Sequence, residues 1–269
     1  MSEGIVGGYV EVGGARTYYE QTGSGPLVLL IHTAGRDSRQ WHAVMGLLAD
    51  RYRLVAPDLP GHGKSWPLQG EPCLDGMDEL AEWLSAFVSA VGNGAYFVSG
   101  CSLGGNLTLL LAAQDERVTA AVALQAAAYT PTISETSLTM MTHPHVNLAF
   151  SNMDFTMSLV GADADADGRR FIEWGVTTVN APAQRADLAA YTRCDIRAWL
   201  PSVTCPVVMA RGEHDWVVSQ DMVEATAAGL ANAASVEVSI LPGLGHFPHV
   251  EKPATVAGLL SRAFEAARR

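Results

Sequence analysis

Tyr96-Phe97-Val98-Ser99-Gly100-Cys101-Ser102-Leu103-Gly104-Gly105-Asn106-Leu107 carries an apolar run into a turn flanked by glycines and out into a helical pattern, Leu107, Leu109, Leu110 and Leu111. That order reads as strand, turn, helix, with Ser102 at the point of sharpest curvature. A side chain held on so tight a turn crowds its neighbours, so the positions two before and two after it must be nearly side-chain-free. The serine hydroxyl then stands above the sheet at the positive end of the following helix. The same spelling also fits a Gly-rich β–α turn with a helix-capping serine, so partners elsewhere in the chain must decide.

Outward from this stretch, strands and helices alternate. Tyr9 to Val12 and Thr17 to Gln21 read as a hairpin turned at Gly13-Gly14. Leu27 to Ile31 is a continuous apolar run of the kind buried on both faces of a parallel sheet, and it ends in His32-Thr33-Ala34-Gly35. A helix from about Gln40 to Ala49 and a strand from Tyr52 to Ala56 follow, then Asp58-Leu59-Pro60-Gly61-His62-Gly63-Lys64-Ser65. Asp78 to Val91 has helical spacing of Leu80, Leu84, Phe87, Val88 and Val91, and Val118 to Leu124 is a further strand. Such alternation implies a mostly parallel sheet with helices on both faces.

From about Ala127 to Asp195 strand-like runs vanish and methionine and aromatic residues accumulate. Helices are expected at Val146 to Leu159, Arg169 to Val179 and Gln184 to Tyr191. The alternation resumes with Pro206 to Ala210, a helix over Asp221 to Ala231, a strand over Val236 to Leu241 and a helix over Pro253 to Ala267. The organisation expected is a core in two parts, 1–126 and 196–269, with a helical insertion, 127–195, lying over the sheet.

At 269 residues, 48% hydrophobic and 17% charged, the chain has the composition of one globular domain. Its net charge of −11, with no basic cluster, argues against nucleic acid or an anionic membrane as partner. No signal peptide and no membrane-spanning run is evident. Cys73, Cys101, Cys194 and Cys205 show no C-x-x-C spacing and read as reduced thiols of a cytoplasmic protein. The partners expected are a small-molecule substrate and, at most, a second copy of the chain.

Arg211-Gly212-Glu213-His214-Asp215-Trp216 closes the penultimate strand, and Leu241 through Gly245-His246-Phe247 closes the last. Loops at the carboxyl ends of parallel strands converge on one crevice, which brings Ser102, Asp215 and His246 together. The chain order Ser, Asp, His suits this topology. Gly100-Cys101-Ser102-Leu103-Gly104, Asp58 through Ser65, Gly212-Glu213-His214-Asp215, and Gly245-His246-Phe247 with Glu251 and Pro253 together resemble an α/β-hydrolase-fold serine hydrolase, of the esterase and cofactor-free haloperoxidase branch. The resemblance covers the chain outside the insertion. It implies a sheet of about eight strands with a small helical cap, no cofactor and no metal. It makes Ser102 the nucleophile, His246 the general base and Asp215 its orienting acid. The oxyanion donors would be the backbone N–H groups of Leu103 and, from the loop after Leu27–Ile31, Ala34. Many relatives carry His-Gly where this chain has His32-Thr33, which puts a hydroxyl near the oxyanion site.

Each role has a rival. Cys101 as nucleophile would put Leu103 where the turn needs a small residue. His249, about one helical turn past His246, reads as a rim or exposed residue, and Glu213 competes with Asp215. His32 and His62 read as loop braces hydrogen-bonded to backbone. Asp163-Ala164-Asp165-Ala166-Asp167-Gly168 opens like an EF-hand loop, but the twelfth place is Trp174, and a solvated loop before a helix explains it. In the insertion, Met141, Phe150, Met153 and Trp174, with Thr33 from the core, are the expected substrate-binding residues of an apolar pocket.

The function expected is hydrolysis of a small or medium carboxylic ester or lactone through an acyl-enzyme. The alternatives are a carbon–carbon bond hydrolase acting on β-diketone or ring-cleavage products with the same triad, and a ligand-sensing receptor of this fold with little turnover.

Overall fold

Gly13 and Gly14, at φ +58° and +84°, supply the left-handed backbone that a two-residue hairpin turn requires. They join β1 (Val6–Val12) to β2 (Ala15–Thr22), both longer than the alternating residues alone suggest. The computed structural model describes residues 4–68, 73–92, 94–130, 134–143, 145 and 148–268.

β3 (Leu27–Ile31) is buried along its whole length, and its side chains alternate between two separate cores. Leu27, Leu29 and Ile31 join one core, Val28 and Leu30 the other. A 3-10 turn over Ser38–Trp41 then leads into α1 (His42–Leu48), where one continuous helix was expected. Asp37 caps that turn, its carboxylate accepting from Arg39 N. β4 (Arg53–Pro57), α2 (Met77–Val91), β5 (Tyr96–Cys101), α3 (Leu103–Gln114) and β6 (Val118–Leu124) follow.

Between β6 and the next strand come α4 (Glu135–Thr142), α5 (Leu148–Ser158), α6 (Ala166–Thr177) and α7 (Ala181–Thr192). The three helices read in this stretch correspond to α5, α6 and α7. α4 has a weak apolar stripe and was missed, although Ser134 caps it by accepting from Ser137 N. The segment leaves and rejoins the core at one point, where Tyr129 and Asp195 form an antiparallel bridge and Ile196 N donates to Ala128 O at 2.7 Å.

β7 (Val207–Gly212), α8 (Gln220–Gly229), β8 (Val236–Leu241), the short α9 (Pro248–Glu251) and α10 (Pro253–Ala267) complete the chain. The eight strands lie in the order β1-β2-β4-β3-β5-β6-β7-β8. β2 pairs antiparallel with both of its neighbours, and every pair from β4 to β8 is parallel. α2, α3 and α8 cover one face, and α1 and α10 cover the other. Phe264 of α10 stacks on Phe97 of β5, ring centroids 4.6 Å apart and planes nearly parallel, which fixes the last helix to the middle of the sheet. Among the described residues no helix is long and apolar enough to cross a membrane.

The strand order places the site. The connection after β3 runs to β4 on one side, while the connection after β5 runs to β6 on the other. A crevice opens where the winding reverses, between the carboxyl ends of β3 and β5. There Ile31 pairs with Gly100, so His32–Gly35 and Ser102 emerge side by side.

Candidate active site

Ser102 links β5 directly to α3 with φ +59° and ψ −119°, a conformation that costs a non-glycine residue of order 1–3 kcal/mol. Surroundings that admit no other path hold it there. Ser102 N donates to Leu124 O at 2.9 Å, and Asn106 N returns to Ser102 O at 2.9 Å. A Cβ on Gly100 would overlap the carbonyl of Gly104, and one on Gly104 would lie 2.5 Å from Ile31 O and 2.7 Å from His32 O. The first turn of α3 therefore packs directly on the end of β3. As the first helical residue, Leu103 has an N–H with no partner inside the helix, and no side chain caps this end.

The facing loop is fixed residue by residue. His32 Nε2 accepts from Leu59 N at 3.2 Å, so Nδ1 carries the proton and donates to Thr33 O at 2.8 Å. Arg36 N also reaches Thr33 O, at 3.2 Å. With the carbonyl of the trans Thr33–Ala34 peptide gripped twice, its N–H, that of Ala34, points the opposite way. Gly35 N donates to Asp187 Oδ2 at 2.7 Å, which fixes the next peptide. Thr33 sends both its N–H (3.0 Å) and its hydroxyl (3.1 Å) to Gln40 Oε1. The hydroxyl expected near the oxyanion site therefore has its proton committed to Gln40, while Thr33 does line the cavity.

Asp215 is 1% exposed. Its Oδ1 accepts from the backbone of Val217 (2.8 Å) and Val218 (3.2 Å), while its Oδ2 lies 2.7 Å from His246 Nδ1. Burial would raise its pKa, but the His246 charge and hydrogen bond, with the two N–H groups, bring it below the usual carboxylate value. For His246, burial pulls downward and the Asp215 carboxylate wins, holding the pKa above 6.5. Exposed Glu213 accepts instead from Gly243 N, at 2.9 Å.

His246 sits on a loop held by three clasps. Its N–H donates to Leu159 O at 2.8 Å, and its carbonyl accepts from the Cys101 thiol at 3.2 Å. Buried Glu251 accepts from the N–H groups on either side, Gly245 (2.6 Å) and Phe247 (2.9 Å), and from Gly161 N at 3.1 Å. A carboxylate two residues past the Phe247-Pro248-His249 run is the sequence signal for this clasp. Cys101 is fully buried, and burial pushes its thiol well above the ordinary range, which leaves it no nucleophilic role.

Ser102, His246, Thr33 and Ala34 line one cavity of about 120 Å³, closed from above by α5 and α7 through Asn152, Phe155 and Gln184. Among the described residues the Ser102 hydroxyl makes no hydrogen bond. Met153 and Trp174 do not line this cavity. Trp174 lies under the Arg39 guanidinium, 4.5 Å from its ring centroid, and packs on Phe171. The side chains of Met141, on α4, and Phe150, on α5, lie outside the described residues. His249, read as a rim or exposed residue, is fully buried with its ring 4.5 Å from that of Trp41 and no hydrogen-bond partner among the described residues. Burial holds its pKa down to about 3, so it is neutral. His62 donates from Nε2 to Asp187 Oδ2 (2.9 Å) and from Nδ1 to Pro60 O (3.2 Å), the pattern of an imidazolium. Burial opposes its charge, but Asp187 raises its pKa.

If His246 serves as a general base it must be neutral to accept a proton, and kcat/KM would then rise with pH through an apparent pKa raised above the ordinary histidine value. Because Asp215 causes the upward shift, Asp215→Asn should move that limb downward. A limb that stays in place when a pH–rate profile is measured on both proteins would separate it from His246.

A family model described as the alpha/beta hydrolase family matches residues 28–259. The pimeloyl-[acyl-carrier protein] methyl ester esterase of Nitrosomonas europaea is 29% identical over 262 residues, covering 89% of this chain and 96% of that protein. A thermophilic esterase from Thermogutta terrifontis superposes with a TM-score of 0.83 at 19% identity, covering 97% of this chain and 100% of the other. An enol-lactonase from Burkholderia xenovorans gives 0.83 at 16% identity, covering 96% and 100%. At such identities the two structures share the fold.

Proposed function

The chain belongs to the alpha/beta hydrolase family, and from that premise we propose that it is a serine hydrolase of small or medium carboxylic esters or lactones. The reading rests on one observation above the others. A buried Asp215–His246 pair opens onto the same small cavity as a serine held at φ +59° between strand and helix.

Asp215 Oδ2 accepts a hydrogen bond from Nδ1–H, which leaves His246 Nε2 as the base toward the cavity. His246 removes the Ser102 proton as Oγ attacks the carbonyl carbon, and the resulting oxyanion is received by the Leu103 and Ala34 N–H groups. Collapse expels the alcohol, protonated by His246, and leaves an acyl-serine. Water, deprotonated by the same imidazole, releases the acid and restores Ser102. The named activities of the Nitrosomonas and Burkholderia proteins, on a methyl ester and an enol-lactone, support this substrate class. In this reading the 127–195 segment is a cap over the site. The four buried free cysteines favour a reducing compartment, the cytoplasm.

Nitrophenyl esters of graded chain length are expected to give a burst of nitrophenol equal to the enzyme present. A fluorophosphonate should add to Ser102 and to nothing in Ser102→Ala, as read by peptide mass spectrometry. A folded wild type that shows neither burst nor adduct would overturn the reading.

A further inference from the structure

Arg36 is the unexplained residue of the cavity. It follows the oxyanion loop directly and lines the same wall as Ser102 and His246. Among the described residues its guanidinium makes one side-chain hydrogen bond, from Nη1 to its neighbour Gly35 O at 3.3 Å, and no ion pair. Four of its five N–H donors thus have no protein acceptor among the described residues.

The carboxylates that could neutralise it are engaged elsewhere. Asp37 is gripped by Arg39 through Nε–Oδ1 (2.8 Å) and Nη2–Oδ2 (2.5 Å). Asp187 spends Oδ2 on Gly35 N and His62, its Oδ1 is buried without a hydrogen-bond partner among the described residues, and it forms no ion pair with Arg36. No Asp or Glu lines the cavity among the described residues. Opposite the stem of Arg36, α6 presents Gly175, where an added Cβ would lie 3.7 Å from both Cδ and Nε, an ordinary van der Waals contact. Burial draws the pKa of Arg36 down to about 10, which still leaves it charged at neutral pH.

A half-buried cation in a mostly apolar cavity is costly without a counter-charge, and this one stands where a substrate must pass. We propose that Arg36 binds a carboxylate carried by the substrate, so that the preferred substrates are half-esters of dicarboxylic acids, or lactones bearing a free carboxylate. The guanidinium fork matches two carboxylate oxygens. A phosphate monoester would bring about two charges against this one cation. The inference rests on the serine-esterase reading for its chemistry but not for its binding site.

The test pairs mono-(p-nitrophenyl) glutarate with its neutral isostere, in which an isopropyl group replaces the carboxylate. Wild type is expected to favour the anionic ester in kcat/KM, and Arg36→Met to lower that preference ratio by about 10- to 100-fold. Arg36→Lys should recover part of it. Monomethyl glutarate binding to Ser102→Ala, followed by calorimetry, should weaken similarly when Arg36→Met is added. Turnover of both esters without preference, or a ratio unmoved by Arg36→Met, overturns the carboxylate site and leaves the esterase reading standing. Arg36-dependent binding of monomethyl glutarate in a protein that turns over neither ester supports the site and removes the esterase reading. Absence of both turnover and binding removes both.

Discussion

His246→Ala is expected to lower kcat on any ester the wild type hydrolyses by about a millionfold, and Asp215→Asn by about ten-thousandfold. The second figure follows from the hydrogen bonds around Asp215. Its Oδ1 is held by the Val217 and Val218 N–H groups, so an asparagine would keep its carbonyl there and turn its NH2 toward His246 Nδ1. That donor forces the imidazole into the tautomer protonated on Nε2, which cannot accept the serine proton. Stopped assays with each variant, checked for retained fold by circular dichroism, decide the matter. Loss of less than about tenfold in Asp215→Asn would mean that His246 is oriented by something else.

Gly104→Ala is expected to be strongly destabilising, costing about 4 kcal/mol and lowering Tm by roughly 10 °C. Its methyl would press on two backbone carbonyls at the end of β3, Ile31 O at 2.5 Å and His32 O at 2.7 Å, and backbone cannot swing aside as a side chain can. Gly46→Ala is the matched control. It lies in α1 with nothing within 4 Å of an added Cβ, so the same change there should stabilise by about 0.5–1 kcal/mol through helix propensity. Equal melting temperatures for the two variants would contradict the close packing of α3 on β3.

How much of this could be read beforehand differs between the sheet and the segment that covers it. β3 and β6 end where their apolar runs end, because a strand buried on both faces can carry little but apolar residues, and the bounds of the exposed edge strand β8 and of α10 follow their alternation and helical periodicity. The positions of Ser102, Asp215 and His246 were legible for a related reason, since parallel strands deliver their following loops to one edge. The pocket lining was not. Which face of α5 or α6 meets the cavity depends on how each helix docks, and Met153 and Trp174 answer to helix packing rather than to substrate. Arg36, Asn152 and Gln184 line the cavity without having been nominated. Asp187 left a signal, a carboxylate set in Ala186-Asp187-Leu188-Ala189-Ala190, where an acid amid small apolar residues inside a helix marks a buried partner. The 3-10 turn before α1 was hidden because Ser38 to Trp41 continues the helical spacing, and Asp37 shows its capping role only through its hydrogen bond.

The contact of Asp187 with Gly35 and His62 ties the roof of the cavity to its floor. One oxygen serves both partners, so removing that carboxylate would leave the Gly35 N–H without its acceptor and the His62 imidazolium without its counter-charge at a single stroke.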